Sequence, residues 1–116
     1  MTPRTLFIIT GDPRTNPRPA EAIRIAAGVG AWKKNEIQVY LRGAAVLALS
    51  EFVDELVDAD NFTRYLPIIG EWGQPVYVER GTAWLAELGE SPLKYQEITD
   101  VELADLSTQA TYLARF

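Results

Sequence analysis

Residues 4–10, "RTLFIIT", form the stretch from which the fold is predicted. The run is apolar almost throughout and rich in β-branched residues, and "GDP" at residues 11–13 ends it. A strand with one face in solvent alternates apolar and polar residues, whereas a strand covered on both faces is apolar throughout. We therefore expect a buried strand of a parallel sheet, whose carboxyl end opens into a loop.

Helical and strand patterns alternate along the rest of the chain. The patterns predict helices over residues 17–34, 44–60, 61–72, 82–89 and 100–110, and further strands over 36–43, 74–78, 93–99 and 111–116. The helix over 44–60 is expected on the surface, because its apolar and acidic residues occupy opposite faces. The 116 residues therefore predict one α/β domain, 1–116, in which about five mostly parallel strands form a sheet flanked by helices in three layers.

Several residues mark where these helices begin and end. Asn61 and Asp100 are expected to cap helices, and Gly89 to terminate one. Pro67 should kink its helix or force a fresh start. Glycines at residues 28 and 30 weaken the first helix but would let it lie close to the sheet.

The composition excludes several classes of function. The chain contains no Cys and no His, which removes disulfides, thiolate nucleophiles, imidazole bases and the usual zinc ligands. The net charge of -5 disfavours nucleic-acid binding. No apolar run is long enough to cross a bilayer, and the first 20 residues lack a secretory core. We expect a cytoplasmic protein with no cofactor and no nucleic-acid or membrane partner.

Four arginines follow the carboxyl ends of predicted strands. Arg14 and Arg18 follow the first strand, Arg42 ends the second and Arg80 follows the third. The carboxyl ends of parallel strands share one edge of the sheet, where ligands bind, so converging guanidinium groups would form a pocket for a small anionic ligand. The candidate ligand-binding residues are Arg14, Asn16, Arg18, Arg42, Glu79, Arg80 and Thr82.

Each part of this site also has a structural alternative. The loop over residues 10–19 fits a proline-stiffened turn capped by Asp12 or Asn16. The arginines would equally pair with Asp12, with Glu79 or with the acidic residues of 51–60, or lie in a subunit interface. Those acidic residues at helical spacing are typical of a solvated face rather than a metal site. The tryptophans at 32, 72 and 84 are expected in packing or oligomer contacts.

The sequence resembles the DsrE/DsrF-like family, which includes the sulfur-relay subunits of tRNA thiolation. The resemblance is carried by "LFIIT" with its loop and Ala-rich helix, by "EIQVYLRGAAVLAL" at 36–49, by "GQPVYVERGTAWLAELG" at 73–89 and by "ELADLSTQATYLARF" at 102–116. It spans nearly the whole chain. It implies a five-stranded parallel sheet between helices, and assembly into trimers or hexamers, so that self-association is expected.

The chain departs from this family at the position of the reactive cysteine. The family's sulfur carriers place that cysteine just beyond strand three, at residues 79–82 of this chain, where Glu79, Arg80, Gly81 and Thr82 stand. Ala44 is a further departure, because an acidic residue often precedes the Ala-Val pair there. A persulfide requires a thiolate, so sulfur transfer by this chain alone is excluded.

Three functions remain open at this point. The first is a non-catalytic homo-oligomeric binding or scaffold protein, with a small anion at the strand ends. The second is an enzyme that uses Glu79 as a general acid or base, with Arg80 or Arg42 fixing an anionic substrate. The third is the silent subunit of a hetero-oligomeric sulfur relay, whose cysteine lies on a Cys-bearing relative.

Overall fold

Five parallel strands form one sheet in the order β4-β3-β2-β1-β5. The computed structural model describes residues 3–32, 35–72 and 75–116. The strands are β1 (Arg4–Ile9), β2 (Glu36–Leu41), β3 (Val76–Glu79), β4 (Tyr95–Ile98) and β5 (Tyr112–Arg115). The helices are α1 (Arg18–Ala31), a 3₁₀ helix (Gly43–Leu49), α2 (Ala59–Gly70), α3 (Trp84–Leu88) and α4 (Asp100–Gln109). The expected three-layer α/β sheet flanked by helices is confirmed.

The strand order decides which helix covers which face of the sheet. From β1 to β4 the chain moves in one direction across the sheet, so right-handed crossovers place α1, the 3₁₀ helix, α2 and α3 on one face. The step from β4 to β5 returns past β1, which places α4 on the opposite face. We call these the helix-rich face and the α4 face.

Strand β1 has both faces buried, as its apolar run predicts. Phe7 and Ile9 belong to the large core beneath the helix-rich face, whereas Leu6 belongs to a small cluster with Tyr40 and Ile98 beneath α4. Successive side chains of a strand point to opposite faces, so one apolar run fills both cores.

The prediction of a surface helix over residues 44–60 is wrong. Residues 45–49 are buried in the 3₁₀ helix, and the chain from residue 50 to 58 is irregular until α2 begins at Ala59. "AAVLAL" is apolar on every side, so it fits the core better than one face of an amphipathic surface helix. Gly43, at φ 59, makes the left-handed turn from β2 into this buried segment.

The predicted helix ends are partly confirmed. Gly89 terminates α3 with φ 64, as expected. Asn61 is not a cap, because its amide donates to the Ala20 carbonyl oxygen (3.3 Å) inside a helix that starts at Ala59. Pro67 lies within α2 and starts no new helix. Thr99, one residue before Asp100, is the N-cap of α4 and forms a capping box with Glu102.

Other predicted boundaries shift by one to three residues. The first helix begins at Arg18, and its predicted end at residues 33 and 34 lies outside the described residues. Strand three runs over Val76–Glu79, and its predicted first residue, Gln74, is also outside them. Within the described ranges, no helix has the length and apolarity needed to cross a membrane.

Candidate functional site

An ion cluster lies on the α4 face at the carboxyl ends of β2 and β3. Arg42 follows the last residue of β2, Glu79 ends β3, and Asp100 is the first residue of α4. The Arg42 Nε atom lies 3.8 Å from Glu79 Oε2, and its Nη2 donates to the Asp100 carboxylate. One guanidinium thus joins two strands to the helix above them.

The buried Tyr40 side chain supports this guanidinium from below. Arg42 Nε lies 3.4 Å from the Tyr40 hydroxyl oxygen, and the guanidinium carbon lies 5.8 Å from the ring centre. The hydrogen bond with Tyr40 raises the pKa of Arg42 above its ordinary value, and the Asp100 and Glu79 carboxylates add to that effect. Arg42 is therefore a fixed positive charge at this edge of the sheet.

Glu79 is held by two groups of the turn that follows β2. Its Oε1 atom accepts a hydrogen bond from the Gly43 backbone N–H (3.1 Å), and its Oε2 faces Arg42. Both carboxylate oxygens are therefore engaged within the fold. This is the arginine pairing that we gave as the structural alternative.

A groove of about 630 Å³ lies beside Arg42, between α4 and the carboxyl ends of β1 and β5. These neighbouring strands connect to helices on opposite faces, α1 and α4, and such crevices are where open α/β sheets bind ligands. The groove is lined by Ile8, Thr10, Arg42, Asp100, Leu103, Ala104, Ser107, Thr108 and Arg115.

The groove offers guanidinium groups as its hydrogen-bond donors. Arg42 and Arg115 bring two positive charges, against one carboxylate from Asp100. The hydroxyls of Thr10, Ser107 and Thr108 donate to backbone carbonyl oxygens at distances between 2.9 and 3.4 Å. In these positions the hydroxyls present only acceptor lone pairs to the groove, so an anion would have to bind through the arginines.

Arg14 lies apart from this cluster, next to α3. Its Nη2 atom is 2.8 Å from Asp12 Oδ2, and its guanidinium carbon is 4.7 Å from the Trp84 ring centre. The Arg14 side-chain hydrogen bond lowers the pKa of Asp12 below its ordinary value, and the same bond raises the pKa of Arg14. Arg14 is thus paired locally, on the helix-rich side of the sheet edge.

Asn16 and Arg18 form the start of α1. Asn16 Oδ1 accepts from the Arg18 backbone N–H (2.9 Å), which fits the capped turn of the structural alternative. The Arg18 side chain donates to the Arg115 carbonyl oxygen (3.3 Å), and its guanidinium carbon lies 5.6 Å from the Phe116 ring centre. These contacts attach the first loop to the last strand.

Arg80 and Thr82 lie beyond β3. The Arg80 backbone N–H donates to the Ile98 carbonyl oxygen (3.0 Å), and the Thr82 hydroxyl oxygen accepts from the Trp84 N–H (3.4 Å). The Arg80 charge adds to the Thr99 hydrogen bonds that lower the pKa of Glu102. All seven candidate residues lie in the part of the chain that the structure describes. Of these seven, Arg42 and Glu79 are the two whose side chains form an ion pair with each other.

Three contributors were missed from the sequence: Tyr40, Asp100 and Arg115. Arg115 ends β5, so the rule applied to the other strand ends would have included it. Asp100 was assigned to a helix cap, although it too follows a strand at this edge. Tyr40 lies two residues before Arg42, on the same face of the strand.

No metal site accompanies this cluster in the part of the chain that the structure describes. No three Asp or Glu side chains come together there as a potential metal-binding group. The acidic residues of 51–60 are included in that statement.

The sequence matches no family model and no curated protein. The structure is similar to the crystal structure of the ychN protein from E. coli, with a TM-score of 0.78 and 20% sequence identity. The similarity covers 98% of this chain and 99% of that chain. The chain therefore has a DsrE/YchN-like fold, in agreement with the fold that the resemblance implied.

Proposed function

We propose that this chain is a non-catalytic, homo-oligomeric binding protein that holds a small anion in the groove beside Arg42. The observation that carries the proposal is the pair of arginines, Arg42 and Arg115, lining one groove at the carboxyl ends of β1 and β5. A guanidinium presents a rigid fork of N–H donors that matches carboxylate, phosphate and sulfate oxygens.

Asp100 acts as an internal substitute for that anion. Its side chain is 80% exposed, so it is free to leave Arg42 for water. Exposed ion pairs contribute only about 0–1 kcal/mol, so a bound anion readily compensates for the loss of this one. Glu79 stays in place, because the Gly43 N–H and Arg42 both hold its carboxylate.

A binding role fits this cluster better than a catalytic one. Glu79 is not among the residues that line the groove, and the Gly43 N–H and Arg42 hold its carboxylate outside it. A general base must lie within reach of the substrate proton. The absence of cysteine from the sequence independently excludes sulfur transfer by this chain alone.

Self-association into the trimer or hexamer that the resemblance implies is supported by the edge strand β5. Tyr112 and Leu113 are 60% and 45% exposed there, whereas the other edge strand, β4, exposes Gln96 and Glu97. Charged and polar side chains protect an edge strand from pairing, whereas apolar ones favour it. A second copy of the chain would cover β5.

Light scattering coupled to size exclusion tests the oligomer. We expect an assembly larger than a monomer for the native chain, and dissociation for Leu113→Lys. Val101→Lys serves as the control, because Val101 is 73% exposed and lies outside β5. A monomeric native chain, or a Leu113→Lys variant of unchanged mass, would contradict this part of the proposal.

A thermal-shift series with phosphate, sulfate and nucleotides tests the anion site. We expect millimolar anion to raise the Tm of the native chain and of Arg64→Ala, a control on the surface of α2. Arg42→Ala should lose this increase and Arg115→Ala should reduce it. Any small increase that remains in Arg42→Ala measures the general stabilisation that such salts give every protein, and Arg64→Ala shows that the loss is not caused by removing any arginine. An equal increase in Arg42→Ala would overturn the assignment.

A further inference from the structure

A second groove of about 630 Å³ lies on the helix-rich side of the molecule, away from the anion groove. One wall is α2, and the others are residues 49–53, after the 3₁₀ helix, and residues 92–94, before β4. Its volume falls in the range of about 300–1,000 Å³ that is typical of small-molecule sites. Nothing in the proposed anion binding uses it.

The floor and walls of this groove are fixed by the fold. Phe62 and Leu66 are 1% and 4% exposed, so the core holds them in place. Pro67 and Pro92 add stiff apolar walls. Gly70 leaves space at one end, because a Cβ atom there would lie 3.1 Å from the Leu93 side chain. The groove is therefore formed before any ligand enters it.

The rim of the groove carries more negative than positive charge. Glu51 and Glu71 lie on it, against the single ammonium of Lys94. Among the described residues, none of the three takes part in an ion pair. Asp54 and Glu55 follow along the same loop and add to the negative charge. The acidic segment of residues 51–60, expected to form a solvated face, thus borders an apolar groove.

An exposed aromatic residue follows Glu51 in the chain. Phe52 lies between the lining residues Glu51 and Val53 and is 79% exposed. The Ser50 hydroxyl oxygen accepts a hydrogen bond from the Phe52 backbone N–H (3.1 Å). Carboxylates on the rim of an apolar groove attract organic ammonium ions.

We propose that this groove binds a small organic cation with an apolar body, an alkyl or aryl ammonium. The apolar body lies against Phe62, Leu66 and Leu93, and the ammonium lies at the rim beside Glu51 and Glu71. Charge complementarity selects the cation, because an anion of the same shape would meet two carboxylates and one ammonium.

Matched probes in an NMR titration of the whole protein test this site. We use 2-phenylethylamine, 2-phenylethanol and 3-phenylpropionate, which share the phenyl body and differ in charge. The amine should bind about fivefold more tightly than the alcohol, and the carboxylate more weakly than either. Chemical shifts should change in residues 49–53, 62–71 and 92–94.

Variants of exposed rim residues make the test specific. Glu51→Gln and Glu71→Gln should each weaken amine binding about two- to fivefold and leave alcohol binding unchanged. Thr63→Trp should fill the groove and weaken all three probes. Asp105→Asn, an exposed acid on α4, should change nothing. Amine binding no tighter than alcohol binding, full affinity in both glutamine variants, or unchanged binding in Thr63→Trp would overturn the proposal.

Discussion

Gly30 and Gly28 differ in what surrounds them, although the sequence gives both the same expected role. A Cβ atom on Gly30 would lie 2.2 Å from the Trp72 ring, whereas one on Gly28 would meet nothing within 4 Å. Gly30 therefore makes room for a tryptophan from the end of α2, which explains one of the expected tryptophan packing contacts. The space at Gly30 is occupied by the Trp72 ring and does not serve the close approach of helix to sheet that we expected.

Alanine substitutions distinguish the two glycines. Gly30→Ala should destabilise the protein by about 1–3 kcal/mol, because the Trp72 ring has to move. Gly28→Ala should be neutral or stabilise the protein by up to about 1 kcal/mol, because alanine favours the helix. Urea unfolding of the two variants measures both changes. Similar losses at the two positions would contradict this packing.

Two carboxylates make the stability depend on acid pH. Arg14 lowers the pKa of Asp12, and the Thr99 hydrogen bonds lower the pKa of Glu102. A carboxyl group whose pKa is lower in the folded state stabilises the fold at pH values above its ordinary pKa. That ordinary pKa is 3.8 for Asp12 and 4.5 for Glu102. That stability is lost as the pH falls through the lower pKa that each carboxyl group has in the folded state.

Glu102→Gln tests the pH dependence, since glutamine keeps the capping geometry but does not titrate. The free energy of unfolding of the native chain should fall as the pH decreases below about 4.5. The variant should show a shallower fall over the same range, measured by urea unfolding at several pH values. Parallel curves for the two proteins would exclude this contribution of Glu102.

At the scale of elements, α4 is the least deeply packed helix of more than two turns. None of its residues is fully buried, and it rests on the α4 face through Leu103 and Leu106. Its start is fixed by the Thr99 capping box. Capping contacts at the end of the helix therefore contribute a larger share of the stability of α4 than of α1 or α2.

Thr99→Ala should destabilise the protein by about 1 kcal/mol, because the first turn of α4 loses its cap. Thr63→Ala is the matched control, since Thr63 is exposed within α2, where alanine is the better helix former. Hydrogen exchange should show faster opening of α4 in Thr99→Ala. Equal stability of the two variants would mean that the cap contributes nothing measurable.

The alternation of elements could be predicted from the sequence, but not every element type. The apolar run of β1 reports burial directly, because a strand covered on both faces is apolar throughout. Residues 44–60 misled the prediction, because a buried run followed by an acidic loop imitates an amphipathic helix. Hydrophobic spacing cannot separate these cases when tertiary packing decides the outcome.

For the whole molecule, the sequence predicts that strand ends share one edge but not which side of that edge each side chain takes. Arg14 and Arg18 pack beside Trp84 and Phe116 on the helix-rich side, whereas Arg42 and Glu79 lie on the α4 side. The face is set by strand register and by the crossover of α4. Arg42, Glu79 and Asp100 form a cluster only because α4 crosses over β2.

Calorimetric titration of Asp100→Asn with phosphate tests the central claim, that Arg42 is the anion receptor and Asp100 its internal competitor. Removing the competing charge should tighten binding about two- to fivefold over the native chain, as expected for the loss of one exposed ion pair. Adding Arg42→Ala to this variant should abolish binding. Unchanged or weaker affinity in Asp100→Asn would contradict the account.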